Sequence, residues 1–102
     1  MKLETVAALE NLPDGEGFLF RAGALQIALF RDGDTVNAID DICPHAGASL
    51  CGGYSDGKIV ACPWHGWEFE IASGKGLSVE GVDTETFRVV VEEGIVKVEL
   101  PD

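Results

Sequence analysis

Cations are scarce in this chain: seven Lys and Arg face 18 Asp and Glu, for a formal charge of −11 at neutral pH. A surface so charged repels polyanions, which excludes nucleic acid and anionic membranes as partners. Long apolar runs are missing too. Glu4 follows Met1, Lys2 and Leu3 at once, and no stretch long enough for a secretory signal or a spanning helix comes after it, so a cytoplasmic location is expected. Cysteine is limited to three residues, an odd number that does not suit a disulfide framework and leaves the thiols as ligands or free groups. Histidine occurs only twice, so any chemistry based on imidazole must draw on those two side chains. There is no internal repeat, low-complexity tract or linker, and residues 1–102 are expected to form a single domain. A body of this size gains stability from a bound metal or cofactor.

The periodicity that is present is two. Trp67-Glu68-Phe69-Glu70-Ile71 and Val96-Lys97-Val98-Glu99-Leu100 alternate apolar and charged residues as half-buried strands do. Further strands are expected at 3–7, 17–21, 25–31, 35–39, 58–61 and 86–92, each rich in branched or aromatic residues and bounded by Gly or Asp. Asp32-Gly33, Asp56-Gly57 and Glu93-Gly94 sit between strand pairs, and the first two are the dipeptides favoured in type I′ hairpin turns. Leu9–Pro13 reads as one helical turn. The expected class is all-β, an antiparallel β-sandwich or barrel built from hairpins.

Charge is absent from two neighbouring segments, Ile42 to Ser55 and Ile59 to Trp67. This points to a low-dielectric rim around something buried, or to a face that docks a partner. Each segment holds half of a ligand set: Cys43-Pro44-His45 and Cys62-Pro63-Trp64-His65. Together they consume both histidines and two of the three cysteines. Thiolate and imidazole suit zinc or iron and not calcium or magnesium, which prefer oxygen. A tetrahedral zinc site would be satisfied by two Cys and two His. Zinc-finger halves, however, pair like with like, whereas each half here is mixed. A two-iron cluster accounts for the mixing, because two facing loops can give both thiolates to one iron and both imidazoles to the other.

The runs Cys43-Pro44-His45-Ala46-Gly47-Ala48-Ser49-Leu50 and Cys62-Pro63-Trp64-His65-Gly66-Trp67 resemble the two cluster-binding loops of Rieske [2Fe-2S] proteins, in particular the small soluble Rieske ferredoxins. The resemblance extends to the Ala24–Asp40 and Phe87–Leu100 hairpins. It implies that Cys43 and Cys62 bind one iron and His45 and His65 the other, in a cluster-binding subdomain of about residues 42–72 on a larger antiparallel base. Ferric iron, sulfide, two thiolates and two neutral imidazoles sum to no net charge, so adding an electron is easier than at an all-cysteine site.

Departures from the family pattern bear on the redox potential. High-potential relatives carry one more cysteine in each loop, where this chain has Ala48 and Trp64, and hydroxyl residues after the second His-Gly, where it has Trp67 and Phe69. Without those donors to cluster sulfur the potential is expected toward the low end of the roughly −150 to +300 mV range of such centres. Many relatives also have proline in a third loop over the cluster, and Ser73–Thr86 contains none. Cys51 reads as a small buried hydrophobe, Asp40-Asp41 as a solvated strand end, and the acidic run from Glu80 to Glu85 as solvated turn. Trp64 and Trp67 read as shielding for the cluster.

The function implied is that of a one-electron carrier, not an enzyme, between an NAD(P)H-dependent flavin reductase and a terminal oxygenase of the ring-hydroxylating type, docking through a basic surface on the partner. The alternatives are the small subunit of an NAD(P)H nitrite reductase and a structural zinc module for protein contact. The chain is not itself a terminal oxygenase, whose non-haem iron needs further histidines that are absent here.

Overall fold

The computed structural model describes residues 2–44, 47–64 and 66–101. Among the described residues ten strands run in chain order: β1 (Lys2–Ala8), β2 (Gly17–Ala22), β3 (Leu25–Asp32), β4 (Thr35–Asp40), β5 (Tyr54–Ser55), β6 (Ile59–Ala61), β7 (Glu68–Glu70), β8 (Thr86–Phe87), β9 (Val89–Glu92) and β10 (Ile95–Leu100). They form three antiparallel sheets with orders β1-β10-β9, β2-β3-β4-β8 and β5-β6-β7. Single 3₁₀ turns occupy Leu9–Asn11, where one helical turn was expected, and Leu50–Gly52.

The middle sheet is a wall shared by two cores. Along β3 successive side chains point to opposite faces. Ile27 and Leu29 enter a base core with Leu12, Val36, Ala38, Val96, Val98 and Leu100. Ala28 and Phe30 enter a second core with Ile39, Leu50, Val60, Phe69, Ile71 and the two cysteines of the motifs, Cys43 and Cys62. Burial on both faces explains why 27–30 carries a continuous apolar run while β10, with one face toward solvent, alternates. Each fully buried aliphatic or aromatic side chain contributes about 1.5–3 kcal/mol, so the cysteine-bearing side of the molecule draws its stability from the same strand as the base.

Three expectations need correction. The run 86–92 is not one strand: it divides at Arg88, with β8 pairing to β4 and β9 pairing to β10. The chain changes sheet there, so that Phe87 and Val89 both pack on the base core. The β3–β4 turn is centred on Gly33-Asp34, because Asp32 still pairs with Thr35, and only Gly33 has positive φ, the pattern of a type II′ turn. The turn with two positive φ values, as type I′ requires, is Glu93-Gly94 at 51° and 76°. Finally, β5 was not anticipated, since two residues give no measurable periodicity.

Candidate metal centre

One motif loop follows β4 and the other joins β6 to β7, and their backbones close in the same way. The Cys43 N–H donates to the Ala48 carbonyl at 2.9 Å and the Gly47 N–H returns to the Cys43 carbonyl at 2.9 Å. In the second loop the Cys62 N–H donates to the Trp67 carbonyl at 2.8 Å and the Gly66 N–H to the Cys62 carbonyl at 2.9 Å. Gly47 and Gly66 have φ of 72° and 71°, a left-handed conformation that glycine adopts without steric cost. Proline follows each cysteine and fixes its own φ near −65°. The shared frame is therefore Cys-Pro-x-x-Gly-x, within which histidine takes the third position in one loop and the fourth in the other. Trp64 holds the position in the second loop that His45 holds in the first.

Cys43 and Cys62 are 1% and 2% exposed, carry free thiols and belong to one core cluster. His45 and His65 lie outside the described residues, and among the described residues no three metal-ligating side chains converge. The part of the donor set that is described fits a thiolate-bound metal group: two buried sulfurs, in matched loops, on one side of the central sheet.

Around the loops, Trp64 is 65% exposed and Ile42 39%, while Trp67 packs against the cysteine-bearing core. The two tryptophans thus differ, with Trp67 part of the packing and Trp64 presented to solvent. Phe69 and Ala48 are fully buried and bring no hydroxyl or thiol. The proline-free third loop is shaped by hydrogen bonds to β7. Glu70 N–H donates to the Lys75 carbonyl, Leu77 N–H to the Glu68 carbonyl and Glu68 N–H to Ser78 Oγ, at 2.8–2.9 Å. Asp83 Oδ1 accepts from Gly76 N–H at 2.9 Å.

The residue that sequence reasoning misjudged is Asp41. It is not solvated but 0% exposed, the one charged side chain buried among the described residues. Its carboxylate accepts from Ser49 Oγ at 2.9 and 2.8 Å and from the Cys51 N–H at 2.8 Å, while its carbonyl accepts from the Leu50 N–H at 2.6 Å. With the Ile42–Ser49 bridge these bonds close the base of the first loop. The only sequence signal is the serine eight residues on, which by itself points nowhere. Asp40 behaves as a strand end should, its Oδ1 accepting from Ile42 N–H at 2.9 Å. Cys51 is half-buried, with Sγ 3.2 Å from Ser49 Oγ, and burial raises its pKa, which leaves it a weak nucleophile.

An all-β body with two matched, buried cysteine loops defines a class of small iron–sulfur electron carriers. Within it, the family model for the Rieske [2Fe-2S] domain matches residues 2–93, and the chain belongs to that family. Ferredoxin CarAc of Metapseudomonas resinovorans is 37% identical over 97 residues, which span 94% of this chain and 91% of that one. The ferredoxin of carbazole 1,9a-dioxygenase from Nocardioides aromaticivorans IC177 superposes with a TM-score of 0.90 at 28% identity, over 99% of this chain and 100% of the other. A ferredoxin in a solved complex of reduced oxygenase and oxidised ferredoxin of carbazole 1,9a-dioxygenase matches with a TM-score of 0.86 at 36% identity, over 94% and 100% of the two chains. The protein is accordingly a Rieske-type ferredoxin, an electron carrier and not a catalyst, whose cofactor is a [2Fe-2S] cluster. Among the described residues no helix is long and apolar enough to cross a membrane.

Proposed function

We propose that this ferredoxin passes single electrons from a flavin-containing NAD(P)H reductase to a terminal, ring-hydroxylating type of oxygenase in the cytoplasm. Cys43 and Cys62 hold one iron and His45 and His65 the other, in a subdomain of about residues 42–72 within a single domain of residues 1–102. When bound, the cluster supplies one-electron chemistry at near-zero net charge. The residues of the chain exclude water from the sulfur ligands and fix both loop backbones before the electron arrives, so little reorganisation accompanies transfer.

The observation that carries this reading is the pair of identically closed loops with buried Cys43 and Cys62. Their segments bear no charged side chain and expose Trp64 and Ile42. A neutral rim on a body of charge −11 permits close approach, while the acidic remainder steers the molecule to a basic partner surface. The relative found in complex with its oxygenase supports the choice of electron acceptor.

Anaerobically prepared protein should be coloured and, after dithionite, give a rhombic paramagnetic spectrum with iron and acid-labile sulfide in equal amounts. Colourless protein binding zinc would overturn the cluster assignment. The rate of reduction by a flavin reductase should fall as ionic strength rises, and a salt-independent rate would refute electrostatic steering. Purification as a fixed subunit of a large reductase would replace the mobile-carrier reading.

A further inference from the structure

The outer face of the β5-β6-β7 sheet carries groups that the cluster does not use. Tyr54 pairs with Ala61 and Ala61 with Glu68, so these three side chains stand in one row across the sheet, on the face opposite the buried Val60 and Phe69. The middle residue is small. Over it lies a notch of ≈ 80 Å³ walled by Tyr54, Asp56, Ile59 and Glu68. That volume admits one side-chain head group and falls well short of the ~300–1,000 Å³ of a small-molecule site. Tyr54 is 82% exposed, more than Trp64 at 65%. Among the described residues no hydrogen bond or ion pair engages the Tyr54 hydroxyl or the Glu68 carboxylate. Lys58, the cation of the same hairpin, is turned to Asp32, with Nζ 2.8 Å from its Oδ2.

An aromatic face, two exposed carboxylates and an apolar floor are the parts that hold a guanidinium. The ring stacks on its plane, a carboxylate accepts from its edge, and Ala61 and Ile59 take the methylenes of its stem. Lysine suits the notch less, because its compact ammonium is more strongly hydrated. We propose that this notch is a docking anchor for an arginine of the terminal oxygenase, with Tyr54 stacking on the guanidinium and Asp56 and Glu68 pairing its charge. The inference rests on the carrier role proposed above. A notch with no cation of its own, on a body of charge −11, is complementary to a basic partner. Ala61 directly precedes Cys62 and Glu68 comes two residues after Gly66, so the notch stands at the foot of the second loop and an arginine seated there brings that loop against the partner. Tyrosine and arginine are also the residue types on which binding energy concentrates at interfaces.

The test uses the holoprotein and two probes. A fluorescein-labelled tetra-arginine peptide, followed by anisotropy, reads the notch by itself. Tyr54→Ala should weaken its binding about two- to fivefold, and Glu68→Gln by a similar factor. Tyr54→Phe keeps the ring and should bind as wild type does. Glu10→Gln, which removes one exposed charge from the 3₁₀ turn of the base, should weaken binding less than Glu68→Gln does. Equal effects of Glu68→Gln and Glu10→Gln, or of Tyr54→Ala and Tyr54→Phe, overturn the notch as a site, since net charge alone then governs binding. The second probe is the oxygenase component of carbazole 1,9a-dioxygenase, which the 36% identical ferredoxin accompanies in the solved complex. When it oxidises the reduced protein in stopped flow, half-saturation should need more oxygenase for Tyr54→Ala than for wild type, while the limiting rate and midpoint potential stay the same. An unchanged concentration dependence overturns the oxygenase as the source of the arginine. A wild type that the oxygenase leaves reduced defeats the acceptor named in the proposed function, and the peptide then decides the notch on its own.

Discussion

The central wall makes a distinction between neighbouring residues that can be measured. Phe30 and Leu29 are adjacent on β3 and both essentially unexposed, but Phe30 enters the core that contains Cys43 and Cys62 while Leu29 enters the base core. Phe30→Ala should cost about 3–5 kcal/mol and Leu29→Ala about 2–5 kcal/mol, including the cavity each leaves. Against a total stability of ~5–15 kcal/mol for a domain of this size, either is a large loss. At ~4–8 °C per kcal/mol the apparent melting temperature should fall by on the order of 15 °C in both. The difference lies in the order of events. Anaerobic heating of the holoprotein, followed by visible absorbance for the cluster and far-UV circular dichroism for the strands, should show Phe30→Ala losing colour well before its strands melt. Its cavity loosens the cysteine-bearing side locally. In Leu29→Ala the two signals should move down together. Early bleaching to the same degree in Leu29→Ala would refute the idea that the two faces of β3 serve separate cores.

Other outcomes follow from single positions. A Cβ at Gly17 would run into the carbonyl and Cα of Cys51, backbone atoms that cannot turn aside, whereas one at Gly52 meets open space. Gly17→Ala should therefore lose about 1–3 kcal/mol in urea unfolding and Gly52→Ala less than ~0.5 kcal/mol, and equal losses would contradict the close approach. Asp56 Oδ1 accepts from the Ile59 and Lys58 N–H groups, each at 2.9 Å, and these bonds hold its carboxyl below the ordinary value. A depressed folded value means that the contribution is present above the unfolded carboxylate pKa of ~3.9 and is lost as pH falls through the folded value. Urea midpoints measured from pH 5 downward should thus decline less steeply in Asp56→Asn than in wild type, and parallel acid limbs would argue against it. A His65→Cys variant that retains the cluster adds a negative charge to the ligand set and should lower the midpoint potential, so an unchanged or raised value would count against His65 as a ligand.

How far these features could be read beforehand varied with how local their causes are. Strand β10 was legible from its strict alternation, and β1, β3 and β4 from runs of branched, aliphatic or aromatic residues bounded by Gly or Asp. The division at Arg88 was not, because Phe87 and Val89 are both apolar and only the meeting of two sheets sets them on different partners. The Cys-x-His and Cys-x-x-His spacings located both loops, since soft ligands in that combination have few other uses. That the loops share one hydrogen-bonded frame, with histidine shifted by one place, became visible only with Gly47 and Gly66 at matching φ. Asp41 was misread because a carboxylate beside another at a strand end is ordinarily solvated, and the Ser49 that shelters it is brought there by the closure of the loop.

Residue types and their order determined the all-β class, the acidic body and the uncharged segments, and they are the ground on which Cys43, His45, Cys62 and His65 are proposed as a ligand set, because each depends on chemistry or periodicity within a few neighbouring positions. The tertiary structure alone decided that one strand serves two cores, that both cysteines are sealed from water on the same side of it, and that a carboxylate lies buried behind the first loop. Burial is a property of what packs across space, and residues 20 or 40 apart in the chain leave no local trace of their meeting.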